Sequence, residues 1–86
     1  MTGKEVSVEQ VKVMRVLKNS RTWRTSKTIA GDSQVPESTV RHLLLQFFKM
    51  RILERMELFG GYRYRMASTL PCGGYYKQIV DAMEIL

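Results

Sequence analysis

Arg41 and His42 stand side by side in "STVRHLL", and Arg63 and Arg65 alternate with two tyrosines in "YRYR". A guanidinium carries five N–H donors in a rigid fork that fits a phosphate or the edge of a guanine, so such clusters have the chemistry of polyanion recognition. Catalysis fits poorly. With one histidine and one cysteine in the chain, His42 has no second imidazole for a metal site, and Cys72 can close neither a disulfide nor a zinc cluster. No Gly-rich phosphate loop, paired-carboxylate site or Ser/His/Asp set can be assembled either. An enzyme, a cofactor and a metal centre are therefore not expected, and Cys72 reads as a free thiol that fills space.

The placement of charge says more than its total. The net charge is +6, yet residues 12–65 hold twelve Lys or Arg against Asp32, Glu37, Glu54 and Glu57, a local +8, while the two ends are each at −1. A positive field concentrated in this way draws polyanions and is the usual footprint of DNA or RNA binding. Eighty-six residues, 44% hydrophobic and 26% charged, suffice for one small folded domain with a modest core. No apolar run reaches the ~18–20 residues of a membrane span, and "MTGKEVSVEQ" lacks the apolar centre of a secretory signal, so a cytoplasmic protein is expected.

The elements that must position these residues follow from periodicity. Ser7 and Gln10 have the spacing of a capping box, and Val13, Val16 and Leu17, with Val6 and Gln10, predict the inner face of a helix over about 8–19. "SRTWRT" reads as an extended connection or very short strand whose Trp23 turns inward to the core. Thr25 or Ser26 caps a helix of about two turns with Ile29 and Ala30 inward, and Gly31, Asp32 and Ser33 weaken its continuation. Val35 and Pro36 open a third helix over about 36–49, with Val40, Leu43, Leu44 and Phe47 on one face and Ser38, His42, Gln46 and Lys49 opposite. Leu45 and Phe48 lie off the inner face. The period then changes to two in "ILERMELF" and "YRYRM", and the glycines between them, Gly60 and Gly61, signal a hairpin turn. A Pro-Cys-Gly-Gly connector leads to a final helix from about 75, striped by Tyr76, Ile79, Val80, Met83 and Leu86. The resulting fold class is α+β, mainly α, with residues 1–68 as one domain and 69–86 as a linker and C-terminal helix.

Helix, short helix, turn, longer helix and hairpin is the order of a winged helix-turn-helix. In "TIAGDSQVPESTVRHLL" the small Ala30 suits a close helix crossing and Val35 plugs the turn. The stretch from Glu9 to Met66 resembles the N-terminal DNA-binding domain of the IclR family and, more loosely, MarR-like regulators, on "VPESTVRHLL", "ILER" and "GGYRYRM". The resemblance implies a transcriptional regulator that binds double-stranded DNA, with the third helix in the major groove through Pro36, Ser38, Thr39, Arg41 and His42. It implies a wing over about 58–64 that touches backbone or minor groove through Tyr62 and Arg63. Lys27 and Lys49 are expected near the same surface. The chain departs from the family at Gln34 and in "KMRIL", where relatives often carry glycine, and it does not continue into a ligand-sensing domain, so effector sensing is not implied.

Blander readings stand beside these. Arg41 and His42 also suit a solvated helix face, and Arg63 and Arg65 the solvent side of a two-faced hairpin. Glu37 is unusual on a DNA-facing surface, although an acid in a helix's first turn is favoured and can accept from a cytosine amine. A protein–protein adaptor and an RNA binder are the alternative functions. The final helix is expected to pair with its twin in a homodimer; otherwise it folds back on the first helix.

Overall fold

The structure is a computed structural model and describes residues 6–70 and 74–85. Cys72 and Leu86 lie outside the described residues, as does most of the Pro-Cys-Gly-Gly connector. Three helices come first: α1 (Val8–Asn19), α2 (Ser26–Ser33) and α3 (Glu37–Lys49), with β1 (Arg24–Thr25) ahead of α2. The hairpin β2 (Leu53–Leu58) and β3 (Gly61–Met66) follows, and α4 (Gly74–Ile85) ends the chain. No helix among the described residues is long and apolar enough to cross a membrane.

Helix α1 starts where the spacing of Ser7 and Gln10 predicts. The Gln10 backbone N–H donates to Ser7 Oγ (3.2 Å) and the Ser7 N–H to Gln10 Oε1 (2.8 Å), so two of the helix's orphan donors are satisfied. Its buried face is wider than the periodicity suggests: Val11 and Met14 are buried along with Val13 and Leu17, while Val16 is only partly covered. Helix α1 is packed by α4 as well as by α2. Ile79 is fully buried in that contact, Tyr75 Oη donates to Gln10 Oε1 (2.8 Å) and Arg15 Nη2 to the Met83 carbonyl (2.8 Å). The stripe of the final helix thus finds its partner within the monomer.

Helix α2 runs through Ser33 despite Gly31 and Asp32. The buried Ser33 hydroxyl donates back to the Ile29 carbonyl (2.7 Å), and Asp32 pairs with Arg24, so the polar groups that would favour a break are engaged. Gln34 then adopts a left-handed conformation (φ 59°), which ends the helix and aims Val35 inward to 4% exposure. Val40, Leu44, Phe47 and Ile52 complete a core shared with Met14, Leu17 and Ile29, all fully buried. Past α3, Arg51 is also left-handed (φ 63°), and Arg51 N–H and Ile52 N–H return to the carbonyls of Phe48 and Phe47, each at 3.0 Å.

The sheet has three strands in the order β1-β3-β2, all antiparallel, so the short strand left open in "SRTWRT" forms and extends the two-stranded wing. Trp23 is not a core residue: it is half-buried, with the Arg65 guanidinium 4.3 Å from its ring centroid. The hairpin turn also sits one residue earlier than Gly60–Gly61. Leu58 pairs with Gly61, and the tip is Phe59–Gly60, with φ of 51° and 78°. Two consecutive positive φ values are the mark of the tight hairpin turn whose twist suits the strands.

Candidate nucleic-acid interface

Helix α3 presents two strips outside its buried face. Ser38, His42, Gln46 and Lys49 form the outer one, and all four are exposed. Glu37, Arg41, Leu45 and Phe48 follow one another at helical spacing on the side nearer the wing. That second strip borders a groove whose other walls are the start of α2, with Ser26 and Lys27, and the wing residues Arg55, Tyr62 and Tyr64. Lys27, Arg41 and Tyr62 thus line one groove.

Within the groove the charges are arranged by local contacts. Arg41 Nη2 donates to Glu37 Oε2 at 2.9 Å, and Ser26 Oγ donates to the same oxygen at 3.3 Å, so Glu37 ties the first turns of α2 and α3 together. The Arg41 side chain is still 69% exposed. An exposed pair of this kind is worth under ~1 kcal/mol, so the guanidinium can exchange its partner at little cost. Arg55 is held differently. Its guanidinium carbon lies 4.2 Å from the ring centroids of both Phe48 and Tyr62, which fixes the side chain between helix and wing, and among the described residues no carboxylate is paired with it.

The remaining candidates scatter. Pro36, the N-cap residue of α3, is exposed, and Thr39 is half-buried. Lys49 lies at the far end of α3, beside Arg51 and Leu53 on one side and Gln10 and Tyr75 on another. Alternation along β3 sets Arg63 on the face opposite Tyr62 and Tyr64, away from the groove. On that face Arg65 Nε donates to Glu54 Oε1 (3.0 Å) and stacks on Trp23. Arg24 is likewise committed to structure, bonded to Ser20 Oγ (2.7 Å), Thr28 and Asp32. No group of three or more His, Cys, Asp or Glu among the described residues could hold a metal ion.

Sequence reasoning missed Arg55. Its meaning depends on hairpin register: a turn at Gly60–Gly61 would set it opposite Met66, whereas the observed turn sets it opposite Tyr64 and diagonal to Tyr62. The signal available was glycine at only one of the two turn positions that the observed hairpin uses.

No family model matches the chain, and no curated protein matches it. Solved structures of similar fold exist. A "possible transcriptional regulator" from Methanosarcina mazei Go1 aligns with a TM-score of 0.64 and 20% identity over 93% of this chain and 68% of that one. A "putative dna-binding protein" from Ralstonia eutropha JMP134 gives 0.63 and 20%, over 93% and 96%. Human N-acetylserotonin methyltransferase gives 0.61 and 15% over 70% of this chain, but this chain spans only 17% of that enzyme. At these identities the likeness is one of fold: a mainly helical α+β domain shared with proteins described as regulators and DNA-binding proteins.

Proposed function

We propose that this chain is a small transcriptional regulator that binds double-stranded DNA in the cytoplasm, with α3 in the major groove and the β2–β3 hairpin on the adjacent backbone or minor groove. The observation that carries the reading is the groove in which Lys27, Arg41 and Arg55 converge between α3 and the wing. Three cations against the single carboxylate of Glu37 leave the concavity net positive, which raises the local potential for a polyanion. Pro36, Ser38, Thr39, Arg41 and His42 occupy the half of α3 that meets base edges when such a helix enters the major groove. Lys27, Tyr62 and Arg55 grip phosphate from the groove, Arg63 from the other face of the wing and Lys49 from the far end of α3. The resemblance to the IclR family supports the same assignment, and so does the fold shared with a "possible transcriptional regulator" and a "putative dna-binding protein".

Pairing of two copies through α4 is the second part of the proposal, matching the two-fold symmetry common among such regulators. Because α1 already covers Ile79, the pairing surface is the flank of α4 that carries the half-buried Val80. Sedimentation of the full chain against Val80→Glu tests it: a dimer that the variant dissociates supports it, and a monomeric parent refutes it.

The binding test is an anisotropy titration of random and site-selected duplexes at two salt concentrations. Affinity should fall steeply with salt. Arg41→Ala should erode preference for the selected site, since a bidentate arginine–guanine pair discriminates by roughly 1–3 kcal/mol. Arg63→Ala should weaken both duplexes alike and lower the salt slope by about one. An Arg41→Ala variant with unaltered preference and affinity would transfer α3 to protein docking, the adaptor role.

A further inference from the structure

The wing tip carries a residue that the turn does not want. Phe59 is 96% exposed and sits at φ 51°, where a bulky side chain is a backbone outlier and Asn or Gly would be unstrained. Its ring touches no core element: it is absent from both the buried cluster and the apolar residues packed on it. A strained, solvent-facing aromatic destabilises the free protein twice over, through its backbone and through its exposed surface, so a use outside the folded monomer is the physical account of it.

We infer that Phe59 is a wedge that enters the minor groove of bound DNA and stacks against a base step. The inference rests on the DNA-binding reading above and deepens it. Phe59 lies four residues beyond Arg55 along the hairpin, about 14 Å at the ~3.4 Å rise of an antiparallel strand. The major groove is ~12 Å wide, so a hairpin clamped to α3 at Arg55 carries its tip past the edge of that groove to the neighbouring minor groove. There an apolar side chain partly unstacks a base step and kinks the duplex. The surroundings favour DNA over a protein or a lipid surface. Among the described residues Phe59 projects with only Leu58 and Tyr62 as exposed apolar neighbours on the hairpin, where Arg55, Arg63 and Arg65 outnumber Glu54 and Glu57, so the apolar point is small and its frame is net positive.

Phe59→Asn is the discriminating variant, because Asn-Gly is a preferred pair for this turn and the fold should be kept or strengthened. A 25-base-pair duplex with 2-aminopurine at successive positions reports unstacking by increased fluorescence. Wild type should give a fluorescence rise at one or two positions. The variant should melt no lower, lose the rise, bind about 5- to 150-fold more weakly from the loss of one stacking contact, and keep its salt slope because no charge has changed. Phe59→Trp should restore both affinity and signal. Wild-type binding with no fluorescence rise, or a variant that binds and unstacks as wild type does, overturns the wedge and leaves the DNA reading standing. Absence of wild-type binding to any duplex at low salt overturns both. Release of the variant, but not wild type, from anionic vesicles with equal DNA binding by both would assign the tip to lipid and overturn the wedge.

Discussion

Gln34 and Arg51 end α2 and α3 in left-handed conformations, at φ 59° and 63°, at places where glycine is the residue of least strain. For an L-residue this region costs roughly 1–2 kcal/mol, and glycine escapes that cost. Glycine also gives the unfolded chain more freedom, which takes back about 0.5–1 kcal/mol. The difference predicts that Gln34→Gly and Arg51→Gly each stabilise the protein by about 0.5–1 kcal/mol. Both side chains are exposed and neither has a side-chain hydrogen bond among those described, so little is lost with them. The two sites flank α3, whose 13 residues span about 20 Å at 1.5 Å per residue, so the effects should add. In a domain of this size about 1 kcal/mol moves the melting midpoint by ~4–8 °C, and the double variant should melt several degrees above the parent. Urea unfolding followed by helical circular dichroism gives the same quantity as a shift in midpoint at constant slope. Gln34→Val sets the opposite sign, since a β-branched side chain is worse placed at positive φ. If both glycine variants unfold earlier than the parent and the valine variant does not, the helices do not end in the left-handed geometry and the reasoning is refuted.

Three further outcomes are expected. Arg55→Ala should weaken DNA binding and lower the salt slope by about one, whereas Arg65→Ala should leave the slope nearly unchanged, because Glu54 already compensates its charge; anisotropy titrations at three salt concentrations compare them. Ile79→Ala should cost about 2–5 kcal/mol in urea unfolding, since it opens a cavity between α4 and α1. Gly31→Ala, at a helical position with open space around it, should stabilise by about 0.5–1 kcal/mol, while Gly60→Ala, at φ 78°, should destabilise; differential scanning calorimetry reads both.

Local signals carried most of the fold. Ser7 and Gln10 placed α1 because a capping box is satisfied by residues three apart, and the change of period after Lys49 announced the wing because alternation is a property of neighbours. Features that depend on distant segments were not legible. Tyr75 bonds Gln10 because α4 returns to α1, and Trp23 lies under Arg65 because β1 joins the sheet through Tyr64 and Arg63. The turn was displaced by one residue because glycine marks positive φ and Phe59 occupies such a position without it. That single displacement hid Arg55, whose neighbours are set by cross-strand pairing.

A fold that occurs in regulator-like proteins and also as a minor part of a methyltransferase does not by itself assign a function. The distinction has to come from how each cation is held. The more exposed Arg41–Glu37 pair exchanges at little cost. Arg24 and Arg65 face Asp32 and Glu54 and are anchored by further contacts with Ser20, Thr28 and Trp23, so their charge is compensated in place. Arg55 is held just as firmly, but by two aromatic faces that are electrically neutral overall. Carboxylates convert an arginine into a brace, whereas rings restrict its rotamers and leave a full charge pointed at the groove. The side-chain entropy of ordering Arg55 is lost on folding, before any partner arrives, so a phosphate meeting it does not bear that cost. An adaptor surface gains nothing from a preorganised, uncompensated cation beside a helix, since burying it against protein would require a new counter-charge. A polyanion supplies that counter-charge along its whole length.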